Sequence, residues 1–481
     1  MEMYHQVEMS VVKRKVMWVL CILLSALPAL FLASLIIRYK VDIPVLDQWE
    51  LVPRLEKFYN GKLTFADLWG QHNEHRPLFP LLIMLVLARL THWNTNCELA
   101  VIFVMAVGIF LLLIYQMRLS RIFGPGTVNW LIPAISLLVF SPCQMENWLW
   151  GWQIQLVLNV FAVTAGIVLL AHPSWNWRRY TAAILLGIIA MYSFANGVLY
   201  WVVGLFVVWT MLRRDRPALK TAVPIWILTG GATIASYVYR FKRFEGYGPL
   251  TLPLQYPVEY LKYVSAFLGA TCTGLVDTNP VIAGLIPGER GILPVCAVGA
   301  AGVILWVTSV VLLLRWRIAD FNTLLPYVAL SMYALGSGMI AGLARLAFGV
   351  NQALSMRYVV FSTLFWVSLL AFLYLLATRY ELSSANHRKM SQRRVTLSAR
   401  ILIIVILCLV ISNARHGLQF AKGRHEAFSE AAETFRLLEQ GDLTAANIRY
   451  TAFELVYPEP EVVEKRLEVL RRYRLSVFRN M

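Results

Sequence analysis

Apolar runs of about 20 residues, repeated along most of the chain, restrict what this sequence can fold into more than any other feature. They lie at 16–37, 97–117, 154–171, 221–239, 292–314, 323–348 and 358–377. Each is long enough for a helix to cross roughly 30 Å of hydrocarbon. Runs at 128–140 and 401–411 are shorter candidates. The run 181–212 is too long for one straight crossing, and Ser193-Phe194-Ala195-Asn196-Gly197 breaks it, so two spans joined at Asn196-Gly197 are expected. The expectation is an all-α polytopic membrane protein with eleven crossings. Segment 77–90 has only 14 residues, and 260–276 is mildly apolar and interrupted by Lys262; both are read as lying in the interface, and if both cross, the count is thirteen.

Composition agrees. The chain is 58% hydrophobic and 15% charged, where soluble domains run near 25% charged, which excludes an ordinary soluble enzyme. The six cysteines lie in or beside apolar runs with no CxxC spacing and read as small apolar residues. The first span has an apolar core longer than the about 7–15 residues of a signal peptide and no small-x-small pattern after it, so it is expected to be retained. A net charge of +17 suggests nucleic acid only if the charge lies on solvated surface.

Locating the charge gives it another meaning. With eleven crossings, Lys13-Arg14-Lys15, Arg118/Arg121, Arg178-Arg179, Arg213/Arg214/Arg216/Lys220, Arg315/Arg317 and the basic stretch 379–400 all fall on one side. Short Lys/Arg-rich loops stay cytoplasmic, so that side is the inside. These are 19 of the 44 basic residues, and they act as topological markers. The N-terminus is then cytoplasmic, and 38–96, 141–153, Asn196, 242–291, 349–357 and 413–481 lie outside. Residues 1–412 read as the transmembrane domain and 413–481 as a small helical outside tail. No internal repeat is visible.

Polar residues at membrane depth are costly, so their clustering is informative. The richest cluster is the loop 38–96. It carries Asp42, Asp47, Trp49 and Glu50 just after the first span, then His72, Glu74, His75 and Arg76 ahead of Pro77. Asp47, held between Leu46 and Gln48-Trp49, suits a general base, with Glu50 or Glu74 assisting. Arg76, at headgroup level, suits a lipid phosphate. His72, Glu74 and His75 lack the helical His-x-x-x-His spacing of a metal site; no metal and no cofactor are called for. The loop 141–153 packs Trp148, Trp150 and Trp152 with Glu146, Asn147 and Gln153. Indole faces stack on sugar rings, and amides and carboxylates bond hydroxyls. Arg345 and Arg357 flank a short outside hairpin with Gln352 and Tyr358, a positive pocket suited to phosphate or pyrophosphate.

At these residues the sequence resembles the GT-C superfamily of polytopic glycosyltransferases, which use polyprenyl-phosphate sugars. The layout is similar: one span, a large outside loop with an early acid, then a His/Pro-led apolar helix and many short-looped spans. Asp47 stands in the place of the early acid. His75-Arg76-Pro77-Leu78 resembles the His-Pro-Pro-Leu of the protein O-mannosyltransferase and aminoarabinose-transferase branches, with Arg76 where proline is usual. Arg357-Tyr358 resembles an Arg-Tyr that starts a late span there. Asp47-Gln48-Trp49, 71–77, 146–153, 352–358 and Leu475-Ser476-Val477-Phe478-Arg479 look like a group of bacterial membrane proteins of that plan.

The resemblance implies an inverting sugar transferase at the outer face of a bacterial inner membrane, with the tail periplasmic. Asp47, Glu50 and Glu74 would be catalytic. His75, Arg76, Arg345 and Arg357 would hold the donor phosphate. Trp49, His72, Glu146, Asn147, Trp150, Gln153, Asn196, Gln352 and Tyr358 would bind substrate. Partners would be a polyprenyl-phosphate-linked sugar, a glycan, lipid or protein acceptor and membrane lipids, with no nucleic acid. The alternatives are a lipid-linked saccharide transporter and a cell-envelope assembly subunit. A transporter would place ionisable groups along a mid-membrane path, whereas here they gather at one rim.

Overall fold

Each apolar run closes its own backbone hydrogen bonds by becoming a helix, which is what hydrocarbon requires. A computed structural model describes residues 2–123, 129–243, 246–273, 291–379, 389–439 and 454–479. Among these, every extended element is helical, and the one β-like feature is an isolated antiparallel bridge between His72 and His75. Nine helices among the described residues are long and apolar enough to cross a membrane: Lys15–Tyr39, Thr95–Leu119, Gly151–Leu170, Ala195–Leu212, Arg216–Val238, Ile292–Arg315, Phe321–Phe348, Met356–Thr378 and Arg394–Phe435. The protein is an all-α, multi-pass membrane protein.

These nine coincide with nine of the eleven expected crossings. The other two fall on the helices Leu131–Val139 and Trp177–Met191, of 9 and 15 residues, both shorter than the roughly 20 that one crossing takes. Segment 77–90 forms a 14-residue helix, Leu78–Thr91. Segment 260–276 contributes to Pro257–Gly269, and its last residues lie outside the described ones. The expected break at Asn196-Gly197 is present as a single tight turn, Ala195–Gly197, between two helices. A Cβ on Gly197 would run into the Met191 backbone, so the turn needs glycine.

The candidate at 401–411 belongs to something larger. It lies in a 51-residue helix, Lys389–Glu439, about 76 Å long at 1.5 Å per residue. That helix passes through residue 412, where the membrane part was expected to end. Its apolar portion packs on Val359–Arg379, whose surface is almost wholly buried, and its outer portion reaches the Met145–Leu149 segment. Val359–Arg379 and Ile154–Leu170 are apolar all round, the pattern of helices enclosed by others.

Close helix contacts rest on small residues. Pro257–Gly269 and Ile292–Arg315 cross with Gly269 against the Val295 carbonyl and Gly299 against the Ser265 carbonyl, where a Cβ would clash with backbone. Gly299→Leu should therefore force this pair apart and destabilise the protein by about 1–3 kcal/mol. Thermal unfolding in detergent reads the effect, with Gly231→Ala, which faces open space, as the control that leaves melting unchanged or slightly raised. A normal melting curve for Gly299→Leu would mean the helices do not touch there.

Candidate functional site

Several helix interruptions meet at one end of the bundle and enclose a cavity of about 560 Å³. Its lining comes from distant parts of the chain: Leu46 and Asp47; His72, Asn73 and His75; Glu146, Trp150, Trp152, Gln153, Gln155 and Leu156; Phe194; Arg345; Arg357-Tyr358; and Tyr457-Pro458-Glu459. Cross-links hold these loops together. Trp150 Nε1 donates to the Val45 carbonyl at 3.0 Å, tying the tryptophan loop to the Asp47 loop. Gln48 donates from Nε2 to Glu98 Oε2 at 2.6 Å, while Trp93 Nε1 donates to the other Glu98 oxygen at 2.9 Å. Asn147 Nδ2 donates to the Arg357 carbonyl at 3.2 Å, joining the tryptophan loop to the arginine turn.

Asp47 lies at the start of a tight helical turn, Leu46–Leu51, with His72 Nε2 3.6 Å from its carboxylate. Among the described residues no arginine lies within ion-pair distance of Asp47. The Asp47 side chain is 37% exposed, so a ligand in the cavity can reach it. Leu46 and Asn73, on either side of the Asp47–His72 contact, both adopt positive φ, 51° and 47°. Leucine resists that conformation, and such backbone strain concentrates at functional sites.

Glu74 stands behind the wall. It pairs with Arg345, accepts a hydrogen bond from the Tyr247 hydroxyl, and lies 3.4 Å from His75 Nε2. Burial pushes the Glu74 pKa up, but His75, Arg345 and the Tyr247 hydroxyl outweigh it and hold the carboxyl far below its usual range. Glu74 is thus a fixed anion that orients its neighbours. His75 Nδ1 accepts from the Ala195 N–H at 3.2 Å, so the neutral ring carries its proton on Nε2, toward Glu74. The ring also stacks on Phe194 at 3.9 Å.

Burial lowers the His75 pKa from 6.5 to about 4; Glu74 opposes the drop, and Arg345, His72 and Arg357 add to it. Between those values the unfolded chain binds a proton that the folded one refuses, so stability falls as pH is lowered through that window. Glu74 adds to the loss below its unfolded value of 4.5. The melting temperature should be lower at pH 5 than at pH 7.5, and His75→Asn should flatten that slope. An unchanged slope in the variant would remove His75 as its source.

Arg357 is held through its backbone: its N–H donates to Glu146 Oε2 at 3.2 Å, and the Ser355 hydroxyl donates to the same oxygen at 3.3 Å. Its guanidinium lies 3.6 Å from Glu146 Oε1, too long for a hydrogen bond, and makes none among the described residues. Polar atoms on the lining that are buried without partners include Trp152 Nε1, Gln153 Oε1 and Gln155 Oε1. Buried polar atoms are normally bonded, so one unbonded donor and two unbonded acceptors mark where a polar ligand belongs. Among the described residues, no group of three His, Cys, Asp or Glu side chains could hold a metal.

The remaining sequence candidates are placed elsewhere. Trp49 is fully buried against Phe435. Glu50 anchors the tail: Tyr457 and Arg466 donate to it at 2.6 and 2.8 Å. Arg76 gives Nε, Nη1 and Nη2 to the carbonyls of Tyr237, Trp69 and Tyr239, and lines a different cavity. Asn147 is wholly buried, Asn196 lies in the tight turn beside Phe194, and Gln352 sits in the short helical segment before Arg357. Compared with known proteins, the chain matches no family model and no curated sequence.

Gln155, Phe194 and the Tyr457–Glu459 wall were not anticipated. Gln155 had a signal, as a polar residue opening an otherwise apolar helix. The tail had none, because its approach depends on pairs such as Arg466–Glu50 and Arg479–Asp42 between the two ends of the chain.

Proposed function

We propose that this protein is a membrane glycosyltransferase that moves a sugar from a polyprenyl-phosphate donor to an acceptor hydroxyl on the periplasmic face of a bacterial inner membrane. The count proposed with it is eleven crossings and a cytoplasmic N-terminus, with the fold of the GT-C type. The observation that carries the reading is one cavity in which Asp47 with His72, the unbonded Arg357 guanidinium, and unpartnered atoms of Trp152, Gln153 and Gln155 converge.

In this reading Asp47 takes the proton from the acceptor hydroxyl as that oxygen attacks the anomeric carbon. His72 orients the carboxylate and His75, kept neutral, packs the wall. The bond from the anomeric carbon to the phosphate oxygen breaks, and Arg357 and Arg345 stabilise the departing phosphate. Donor activation is already built into the phosphate, so no nucleotide site is needed.

The test is transfer of radiolabelled sugar from polyprenyl-phosphate donors by purified protein in lipid vesicles. Wild type should transfer, and Asp47→Asn should be slower by roughly two to four orders of magnitude. Equal rates in the variant would remove Asp47 from the mechanism. Movement of a lipid-linked saccharide across the vesicle without transfer would instead identify a transporter.

A further inference from the structure

A second cavity of about 690 Å³ opens beside the first, lined by Trp69, Gln71, Asn73, Arg76, Tyr239, Arg240, Lys242 and Arg243. Four of these eight are cations and none is an acid. The two cavities share Asn73 but no charged residue.

The basic side is built, not incidental. Gln71 accepts from the Lys242 N–H at 3.0 Å and donates back to the Lys242 carbonyl, pinning the segment after Arg216–Val238 to the 69–76 loop. Arg76 ties the same two segments through its three backbone carbonyls, leaving its charge without a carboxylate among the described residues. Exposed apolar groups border the site: Phe65, Val238, Tyr239 and Phe241. They continue the outward face of Arg216–Val238, where Ile225, Ile227 and Leu228 are exposed. A cationic concavity joined to a lipid-facing apolar strip is the shape of a headgroup site. The charge also stands where the topology disfavours it. Arg213, Arg214, Arg216 and Lys220 mark the far end of this helix as cytoplasmic, so Arg240, Lys242 and Arg243 are basic residues on the outside, against the usual bias.

We infer that this cavity binds the phosphate of an anionic phospholipid in the outer leaflet, at a site separate from the one that holds Asp47. Its cations neutralise the phosphate, and Tyr239, Phe241 and Phe65 meet the glycerol and upper acyl region.

The full-length protein in phosphatidylcholine nanodiscs doped with phosphatidylglycerol tests this, with retained lipid read by native mass spectrometry. Wild type should enrich phosphatidylglycerol, and the triple variant Arg240→Ala/Lys242→Ala/Arg243→Ala should retain it roughly tenfold less or worse. All three side chains are exposed, and an unchanged melting temperature would confirm that the variant is folded. Arg357→Ala should retain the lipid as wild type does. Equal retention by the triple variant, or loss in Arg357→Ala, would overturn the assignment. Displacement of the lipid by millimolar inorganic phosphate would overturn the lipid assignment in favour of a soluble phosphate.

Discussion

Arg357→Ala should lower sugar transfer by roughly two to three orders of magnitude, the cost typical of losing one preorganised donor to developing charge. The guanidinium makes no hydrogen bond among the described residues, and what its removal takes from the fold is the ion pair with Glu146. Glu146 keeps the residue 357 N–H and the Ser355 hydroxyl. Those two bonds still hold the Glu146 carboxylate, so the melting temperature should fall modestly while turnover collapses. Arg357→Lys should recover part of the rate, since a single ammonium replaces the charge but not the planar fork. Steady-state transfer at saturating donor, set beside a melting curve, reads both effects. Wild-type turnover in Arg357→Ala would take this residue out of the reaction.

Glu74→Ala should have the largest effect on stability, about 3–5 kcal/mol, because it strips a buried anion from Arg345, His75 and Tyr247 together. Its main victim is Arg345, whose guanidinium would be left in a largely buried place without its carboxylate. Removing both charges tests that cause. Glu74→Ala/Arg345→Met should be more stable than Glu74→Ala alone, since no uncompensated ion then remains. Thermal unfolding of the two single variants and the double variant gives the coupling. Simple additivity would show that the pair contributes nothing to the fold.

Much of the architecture is legible in the sequence because hydrocarbon leaves few choices. Apolar runs such as 97–117 and 358–377 lie within helices of the expected length, and Asn196-Gly197 breaks where glycine is required. Helix length was less legible where polarity changes along one continuous element. The run 401–411 reads as a short span, yet the helix goes on through Asn413, His416 and Arg424, all buried by neighbouring elements. Hydropathy falls there without the backbone breaking.

The site was legible as a set of residue types at one rim. Asp47, His72, His75, Glu146, Trp150, Gln153, Arg345, Arg357 and Tyr358 do share one cavity. What sequence could not separate was a charge facing the cavity from a charge spent inside the protein. Glu50, Glu74 and Arg76 look as reactive as Asp47 in the sequence, but each has its hydrogen bonds taken up by partners far away in the chain: Arg466, Arg345, and the carbonyls at 237 and 239. Pairing across that distance leaves no local pattern.

The Tyr457–Glu459 wall has a consequence for how the protein is made. Glu50 and its partner Arg466 are 416 residues apart. At about 5–20 residues per second, synthesis of the intervening chain takes on the order of half a minute or more. Once Arg357 has been made, it and Asp47 face a cavity with one side missing until residues 457–459 follow. Residues 457–459 come last in the chain among the lining residues, so a chain interrupted before residue 457 carries every other lining side chain and still presents an unwalled site. Assembly of the cavity is thereby tied to synthesis of the segment that carries Tyr457.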